Sequence, residues 1–273
     1  MYETQYVPQM ERGASSLTEL KYGIVRPKRR ITKNDSIHVH KYLEIFFNVN
    51  SDAVFFVNNA LYPTRPGEAI VSRANDLHVC SFDPAAIQEY FCLWIELDRA
   101  VELLSFLDGS DFSPHFSFEP EVAREMHSLL ETLYELFNRQ DCELERIVAV
   151  LRILLILKGT ASKSESALSL PETMREMLGY IDGSFSEISS VTDIAHRYFV
   201  STATLNRYFR QYVGTTPRKY LESKKLSHAV QLLDGGSSVT EASIASGFTD
   251  TSHFIALFKR SFGTTPLKYK KRQ

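Results

Sequence analysis

Cysteine is scarce in this chain: three residues in 273, Cys80, Cys92 and Cys142. Their odd number, with neither a CxxC spacing nor a histidine pair nearby, argues against a disulfide framework or a thiolate metal site and leaves buried thiols as the expectation. Long hydrophobic runs are also missing. The N-terminus, MYETQYVPQM, has no basic start leading into an apolar stretch, and the longest apolar runs fall far short of the ~20 residues that cross a bilayer. No membrane partner is therefore expected, and a cytoplasmic address is. What is present is 44% hydrophobic and 23% charged residues, the composition of a soluble globular protein long enough for two domains with their own cores. The net charge of −2 is small but unevenly spread. Residues 172–273 hold 14 Lys and Arg against 9 Asp and Glu, whereas residues 1–171 hold 17 against 24. The basic part is the one suited to meeting phosphate.

A repeat lies in that basic part. FRQYVGTTPRKY (Phe209–Tyr220) recurs as FKRSFGTTPLKY (Phe258–Tyr269), displaced by 49 residues, and such a repeat constrains architecture more than local propensity does. Helix signals travel with it. Ser201 and Asp250 can accept hydrogen bonds from the unpaired N–H groups of a helix start. Gly214 and Gly263 stand where a helix ends in a left-handed conformation, and Pro217 and Pro266 where the next one begins. Each repeat thus holds a helix of about a dozen residues, ~18 Å long. In the first, Leu205, Tyr208, Phe209 and Tyr212 form one apolar stripe and leave Thr202, Ala203, Asn206, Arg207 and Arg210 outward. In the second, Phe254, Leu257, Phe258 and Phe262 are the stripe and Thr251, Ser252, Ile255, Ala256 and Lys259 face outward. Shorter helical segments, 191–198 and 239–246, precede them across tight connections, which makes helix-turn-helix twice. Residues 217–233 read as one helix of ~25 Å between the units, a spacer that sets two recognition helices at successive major grooves of a duplex repeating every ~34 Å. A helical-repeat module binding other proteins is the rival, disfavoured because two units rarely make a solenoid and the outward faces are polar or basic.

Residues 172–273 resemble the DNA-binding domain of the AraC/XylS family. The resemblance is carried by Ala195, Ser201, Leu205, Phe209, Arg210, Gly214, Leu226, Ala229, Leu232 and Leu233, then by Gly247, Phe248, Ser252, Phe254, Phe258, Lys259, Phe262, Gly263, Pro266 and Tyr269. It implies a transcription regulator of double-stranded DNA, with RNA polymerase as a further partner. Thr202, Ala203, Asn206 and Arg207 would face bases in one groove, and Thr251, Ser252, Ile255 and Ala256 in the next. Arg207 can fork onto guanine and Asn206 onto adenine, while Arg210, Lys259 and Arg260 suit phosphates. Ile255 and Ala256 make the second helix the weaker reader, and Ala242 and Ser243 stand where the family often has isoleucine and alanine.

The acidic half reads differently. Short β-like runs at 22–25, 39–49, 54–57, 68–72, 78–82 and 90–97, separated by Pro63, Pro66-Gly67 and Asn75-Asp76, predict a small antiparallel barrel or jelly roll. His38, His40 and Glu44 have equal parity and share a strand face; with His78 they could bind a divalent transition metal. This arrangement resembles the first motif of the cupins and, with Pro66-Gly67 and His78, part of the second. The barrel glycine expected ahead of His38 is absent, however, and sensor domains of AraC-type regulators commonly keep such traces without a metal. No cofactor and no catalytic residue are therefore assigned, and a metal-free pocket for a sugar-like effector is expected, lined by His38, His40, Tyr42, Glu44, Phe46, His78 and Trp94, with Tyr62 as another stacking surface.

Two amphipathic helices follow at 121–138 and 141–159. The second is apolar over more than one face, which predicts packing on the barrel and a homodimer through the remainder. Residues 160–170 (TASKSESALSL) lack core residues and read as a linker that leaves domain orientation free. The expected fold is thus α+β in two domains: a cupin-like antiparallel β-barrel with two helices at 1–159, a linker at 160–171, and an all-α domain with two helix-turn-helix units at 172–273. A cupin-type metal-dependent enzyme fused to a DNA-binding tail is the alternative.

Overall fold

The structure, a computed structural model, describes residues 11–14, 21–30, 37–40, 42–50, 52–83, 85–96, 106–107, 112–137, 139–160 and 168–271. Its N-terminal half carries β1 (Glu11–Ala14), β2 (Lys21–Val25), β3 (Lys28–Arg30), β4 (Tyr42–Asn48), β5 (Ala53–Val57), β6 (Ala60–Thr64), β7 (Glu68–Ser72), β8 (His78–Phe82), β9 (Ile87–Glu96) and β10 (His115–Ser117). Helices α1 (Pro120–Leu136) and α2 (Glu143–Gly159) follow. The remainder is helical: α3 (Glu172–Ser184), α4 (Val191–Arg197), α5 (Thr202–Tyr212), α6 (Pro217–Asp234), α7 (Val239–Ala245), α8 (Thr251–Phe262) and α9 (Pro266–Lys270). Among the described residues no helix is long and apolar enough to cross a membrane.

Among the described residues the strands do not close into a barrel, which corrects the expected cupin-like fold. They form two separate antiparallel sheets, one ordered β1-β2-β9-β4-β7-β10 with β3 also on β9, the other β6-β5-β8. Each ends in edge strands. Pro63 gives part of the reason, because a proline has no N–H to donate and sits in a sheet only at an edge or a bulge. It lies in β6 opposite Val54 of β5, and beyond β6 the ladder is replaced by an isolated bridge in which the Leu168 N–H donates to the Leu61 carbonyl at 2.7 Å. Residues 161–167 of the expected linker lie outside the described residues; Leu170 just beyond them is buried.

Side-chain parity makes the molecule layered. Leu43, Ile45 and Phe47 of β4 and Phe91, Leu93 and Ile95 of β9 pack with Met126, Leu130 and Leu133 of α1 and Val150, Ile153 and Leu157 of α2. The opposite face of the large sheet, with Phe46 and Ile70, meets Phe55 and Phe82 of the small sheet. The small sheet buries its other face too: Phe56 and Val79, together with Ile37, Val39 and Leu77, share one core with Met174, Met177, Tyr220, Leu226 and other residues of the helical half. The Asn58-Asn59 turn of the β5–β6 hairpin, both residues at positive φ, reaches into this junction, where Asn59 hydrogen-bonds Tyr220 and Asp182. Burial first, and then the Asp182 carboxylate, push the Tyr220 hydroxyl well above its usual pKa.

Candidate functional site

Both helix-turn-helix units are built from strong local signals. Ser190 and Asp193 form a reciprocal capping box at the start of α4, and Ser238 and Glu241 form another at α7, so two otherwise unpaired N–H groups are satisfied at each short helix. The Ser238 backbone and side-chain bonds hold the Glu241 carboxyl below its usual range. Ser201 caps α5 by accepting from the Thr204 N–H, and Asp250 caps α8 by accepting from the Ser252 N–H. Gly214 and Gly263 take the left-handed conformation at φ 73° and 67°, as the repeat predicts.

The two turns differ. Phe199 adopts φ 52° in the first and is 97% exposed, whereas Gly247 adopts φ 77° in the second. Only glycine fits at 247, because a Cβ there would stand 2.1 Å from the Ser186 carbonyl oxygen. The two units are tied by Lys225 of α6, a residue the sequence reading passed over. Lys225 is 8% exposed, and its ammonium donates to the Ile188 carbonyl ahead of α4 at 2.9 Å and to the Gly247 carbonyl at 2.8 Å. Burial lowers its pKa, partly offset by Glu222. The signal for it was a lysine interrupting the apolar face of α6.

The outward residues of the repeat are outward in the structure. Thr202, Ala203, Arg207 and Arg210 are exposed on α5, as are Thr251, Ser252, Ile255, Ala256, Lys259 and Arg260 on α8. Asn206 is half-buried, and its amide donates back to the Thr202 carbonyl at 2.8 Å. Ala203, Asn206, Arg207, Arg210 and Gln211 line an open concavity along α5. Behind these faces Leu205, Phe209, Phe254 and Phe258 have no exposure, so each helix is held firmly on one side and presents polar groups on the other. Ala242 and Ser243 of α7 are also without exposure, and the Ser243 hydroxyl has no hydrogen-bond partner among the described residues.

A second cluster lies between the two sheets. His38 and His78 form a two-way backbone bridge, with N–H to carbonyl distances of 3.1 Å each way, and their ligand atoms, with those of His40 and Glu44, lie within 4.8 Å of one another. Glu44 Oε2 accepts from Trp94 Nε1 at 2.6 Å and lies 3.0 Å from His40 Nε2 and 3.8 Å from His78 Nε2. Burial opposes charge on Glu44, yet the facing imidazoles hold its carboxyl well below the usual range. Burial likewise opposes charge on His78, and the Glu44 carboxylate draws its pKa upward. Of the expected pocket residues, the structure therefore brings together His38, His40, Glu44, His78 and Trp94. Tyr42 lies beside His40, with ring centroids 5.8 Å apart. Phe46 stands apart, packed against Phe55 and Tyr90 at 4.6 and 4.9 Å. Tyr62 borders that same aromatic cluster.

Residues 194–272 match the model of a family described as a helix-turn-helix domain. The class defined by this match and by the two units is a DNA-binding protein. Over most of its length the chain is similar to the HTH-type transcriptional activator RhaS of Salmonella typhimurium, 24% identical over 242 residues that cover 84% of this chain and 85% of that protein. A solved AraC-type transcriptional regulator from Chromobacterium violaceum is 33% identical, covering 36% of this chain and 88% of its own, with a TM-score of 0.33. Fatty-acid-bound ToxT from Vibrio cholerae is 14% identical, covering 93% of this chain and 95% of its own, with a TM-score of 0.38. The chain thus carries a helix-turn-helix DNA-binding domain and is similar over most of its length to a transcriptional activator.

Proposed function

We propose that the protein is a cytoplasmic, effector-responsive regulator that reads a specific duplex sequence with α5 and α8 in successive major grooves. Residues 172–273 form the DNA-binding part and residues 1–159 the sensing and dimerising part. The observation that carries this reading is the pair of exposed polar helix faces, one on each unit, locked to the same helix α6 through Lys225. Arg207 supplies a bidentate donor for guanine, and Arg210, Lys259 and Arg260 supply charge for phosphates. On α8, Ile255 and Ala256 suit thymine methyl groups, so base preference is concentrated under α5. Effector binding changes DNA affinity only insofar as the effector favours one arrangement of the two halves, and the shared core at α6 supports a direct route between them.

Selection from a random duplex library tests the reading. The full chain enriches a two-part site, Arg207→Ala relaxes one base position at a cost of ~1–3 kcal/mol, and Lys259→Ala weakens all sequences alike while reducing the salt slope by about 1. Failure to enrich any sequence, or an Arg207→Ala variant with unchanged affinity and preference, rejects it.

A further inference from the structure

We propose that His38, His40, Glu44 and His78 bind one divalent transition-metal ion, and that this ion is the effector whose presence is reported to α6. The inference rests on the regulator reading above and names the ligand for its sensing half. It sets aside the metal-free expectation for a geometric reason. His40 Nδ1 lies 3.1 Å from the Tyr42 carbonyl, and His78 Nδ1 lies 2.9 Å from the Asp76 carbonyl. A carbonyl only accepts, so both Nδ1 atoms carry protons, and in a neutral imidazole Nε2 is then a bare lone pair. Both lone pairs are turned toward Glu44 Oε2, itself an acceptor. Acceptors facing acceptors repel unless something positive stands between them.

A proton on His40 satisfies only half of the arrangement. His78 is 1% exposed and its Nε2 has no hydrogen-bond partner among the described residues, since 3.8 Å to Glu44 is beyond hydrogen-bond reach. A metal ion engages both nitrogens and the carboxylate at once. The Nδ1-to-carbonyl bonds are the outer contacts that fix the tautomer of metal-binding histidines, and the Trp94 N–H on Glu44 orients the carboxylate in the same way. Three imidazoles with one carboxylate select zinc, nickel, copper or iron over the oxygen-seeking calcium and magnesium.

Such ions hold nitrogen and oxygen at about 2.0–2.2 Å, so ligands on opposite sides stand no more than ~4.4 Å apart. With ligand atoms spread over as much as 4.8 Å, the cluster must contract slightly. The contracting segment is tied to the helical half. The Ile37 carbonyl accepts from Ser223 of α6, and Ile37 and Val39 lie in the core shared with α3 and α6. The Asn75 N–H donates to the His40 carbonyl at 2.8 Å, while the Asn75 carbonyl accepts from Ser227 of α6 at 3.2 Å. Filling the site thus pulls on the helix that carries Lys225 and holds both DNA-binding units.

The full chain, stripped with chelator, is titrated separately with Zn(II), Ni(II) and Mn(II) by calorimetry, and bound metal is counted after dialysis. The expected result is one Zn(II) or Ni(II) per chain, with Mn(II) binding more weakly. Glu44→Gln and His78→Ala each weaken that binding by more than about 100-fold with unchanged helical circular dichroism. Should His78→Ala misfold, Glu44→Gln, which keeps the shape and the acceptor for Trp94, carries the test. Hydrogen exchange then reads the coupling: metal raises protection across 217–234 in the wild type and not in Glu44→Gln. No stoichiometric ion, or binding that both variants keep, overturns the site. Metal binding with unchanged protection of α6 overturns the effector role. DNA selection by the stripped protein is scored separately, so loss of the metal proposal leaves the regulator reading standing, and the reverse.

Discussion

Replacing Gly247 with alanine separates two costs that a glycine at a turn can hide. Gly247 and Gly263 have nearly the same backbone, φ 77° and 67°, so alanine at either site pays the left-handed penalty of roughly 1–2 kcal/mol. At Gly263 no described residue lies within 4 Å of the added Cβ, whereas at Gly247 the Ser186 carbonyl oxygen, Cα and carbonyl carbon stand at 2.1, 2.6 and 2.7 Å. Those are main-chain atoms that no rotamer change moves aside. The connection between α3 and α4 must shift, which adds about 1–3 kcal/mol of overpacking. The same shift strains the Lys225 bond to the Gly247 carbonyl, 2.8 Å long and of a kind worth ~1.5–3 kcal/mol. Gly247→Ala is therefore expected to cost about 3–5 kcal/mol and Gly263→Ala about 1–2. Urea unfolding followed by helical circular dichroism measures both. Equal destabilisation of the two variants would refute the steric reading of the second turn.

Lys225→Met keeps the length of the side chain but leaves the Ile188 and Gly247 carbonyls without their donor; a loss of ~1–3 kcal/mol and weaker DNA binding are expected, although Lys225 faces no DNA, and unchanged affinity would show that the tie is dispensable. On α2, Leu144, Val148 and Leu155 are 62%, 48% and 62% exposed, and at 100° per residue they fall within roughly 40° of one another. The double variant Leu144→Asp, Leu155→Asp is expected to convert a dimer to a monomer in light scattering, and a wild-type chain already monomeric at micromolar concentration would end that idea. Phe55→Ala and Phe56→Ala empty opposite faces of β5, each at about 3–5 kcal/mol; only Phe56→Ala, which loses its contact with Tyr220 at 6.1 Å, should also weaken DNA binding.

The helical half was legible because its signals are local. A cap, a left-handed glycine and a proline recur at a fixed displacement, and each governs only the few residues around it, so α5, α6 and α8 begin and end within about a residue of where the repeat puts them. The capping boxes at Ser190 and Ser238 were available to the same reading and would have fixed α4 and α7 as firmly. In the other half β7 and β8 have the predicted ends, but β6 was hidden by Pro63, and the Asn58-Asn59 turn ahead of it was not recognised as a hairpin. Sheet closure depends on pairings between distant strands, about which local propensity is silent. His38 and His40 come together with Glu44 for a reason other than strand parity: β4 begins only at Tyr42, and His38 is placed by its isolated bridge to His78.

The burial of β5 holds the clue that distinguishes the layered arrangement from a barrel. A strand in a barrel with one wetted face alternates apolar and polar residues, whereas AVFFV is apolar throughout, the pattern of a strand covered on both sides. Phe55 meets the large sheet and Phe56 meets α6. The small sheet is thus a wall with the histidine cluster against one face and the DNA-binding half against the other. His78 and Val79, neighbours in β8, are the shortest expression of this: the imidazole turns toward Glu44 and the next side chain into the core around α6. Because protein cores are close-packed and deform little, a displacement of β8 on one face cannot be absorbed before it reaches the other. The open pair of sheets thus places the histidine cluster one side chain away from the helices that carry the two helix-turn-helix units.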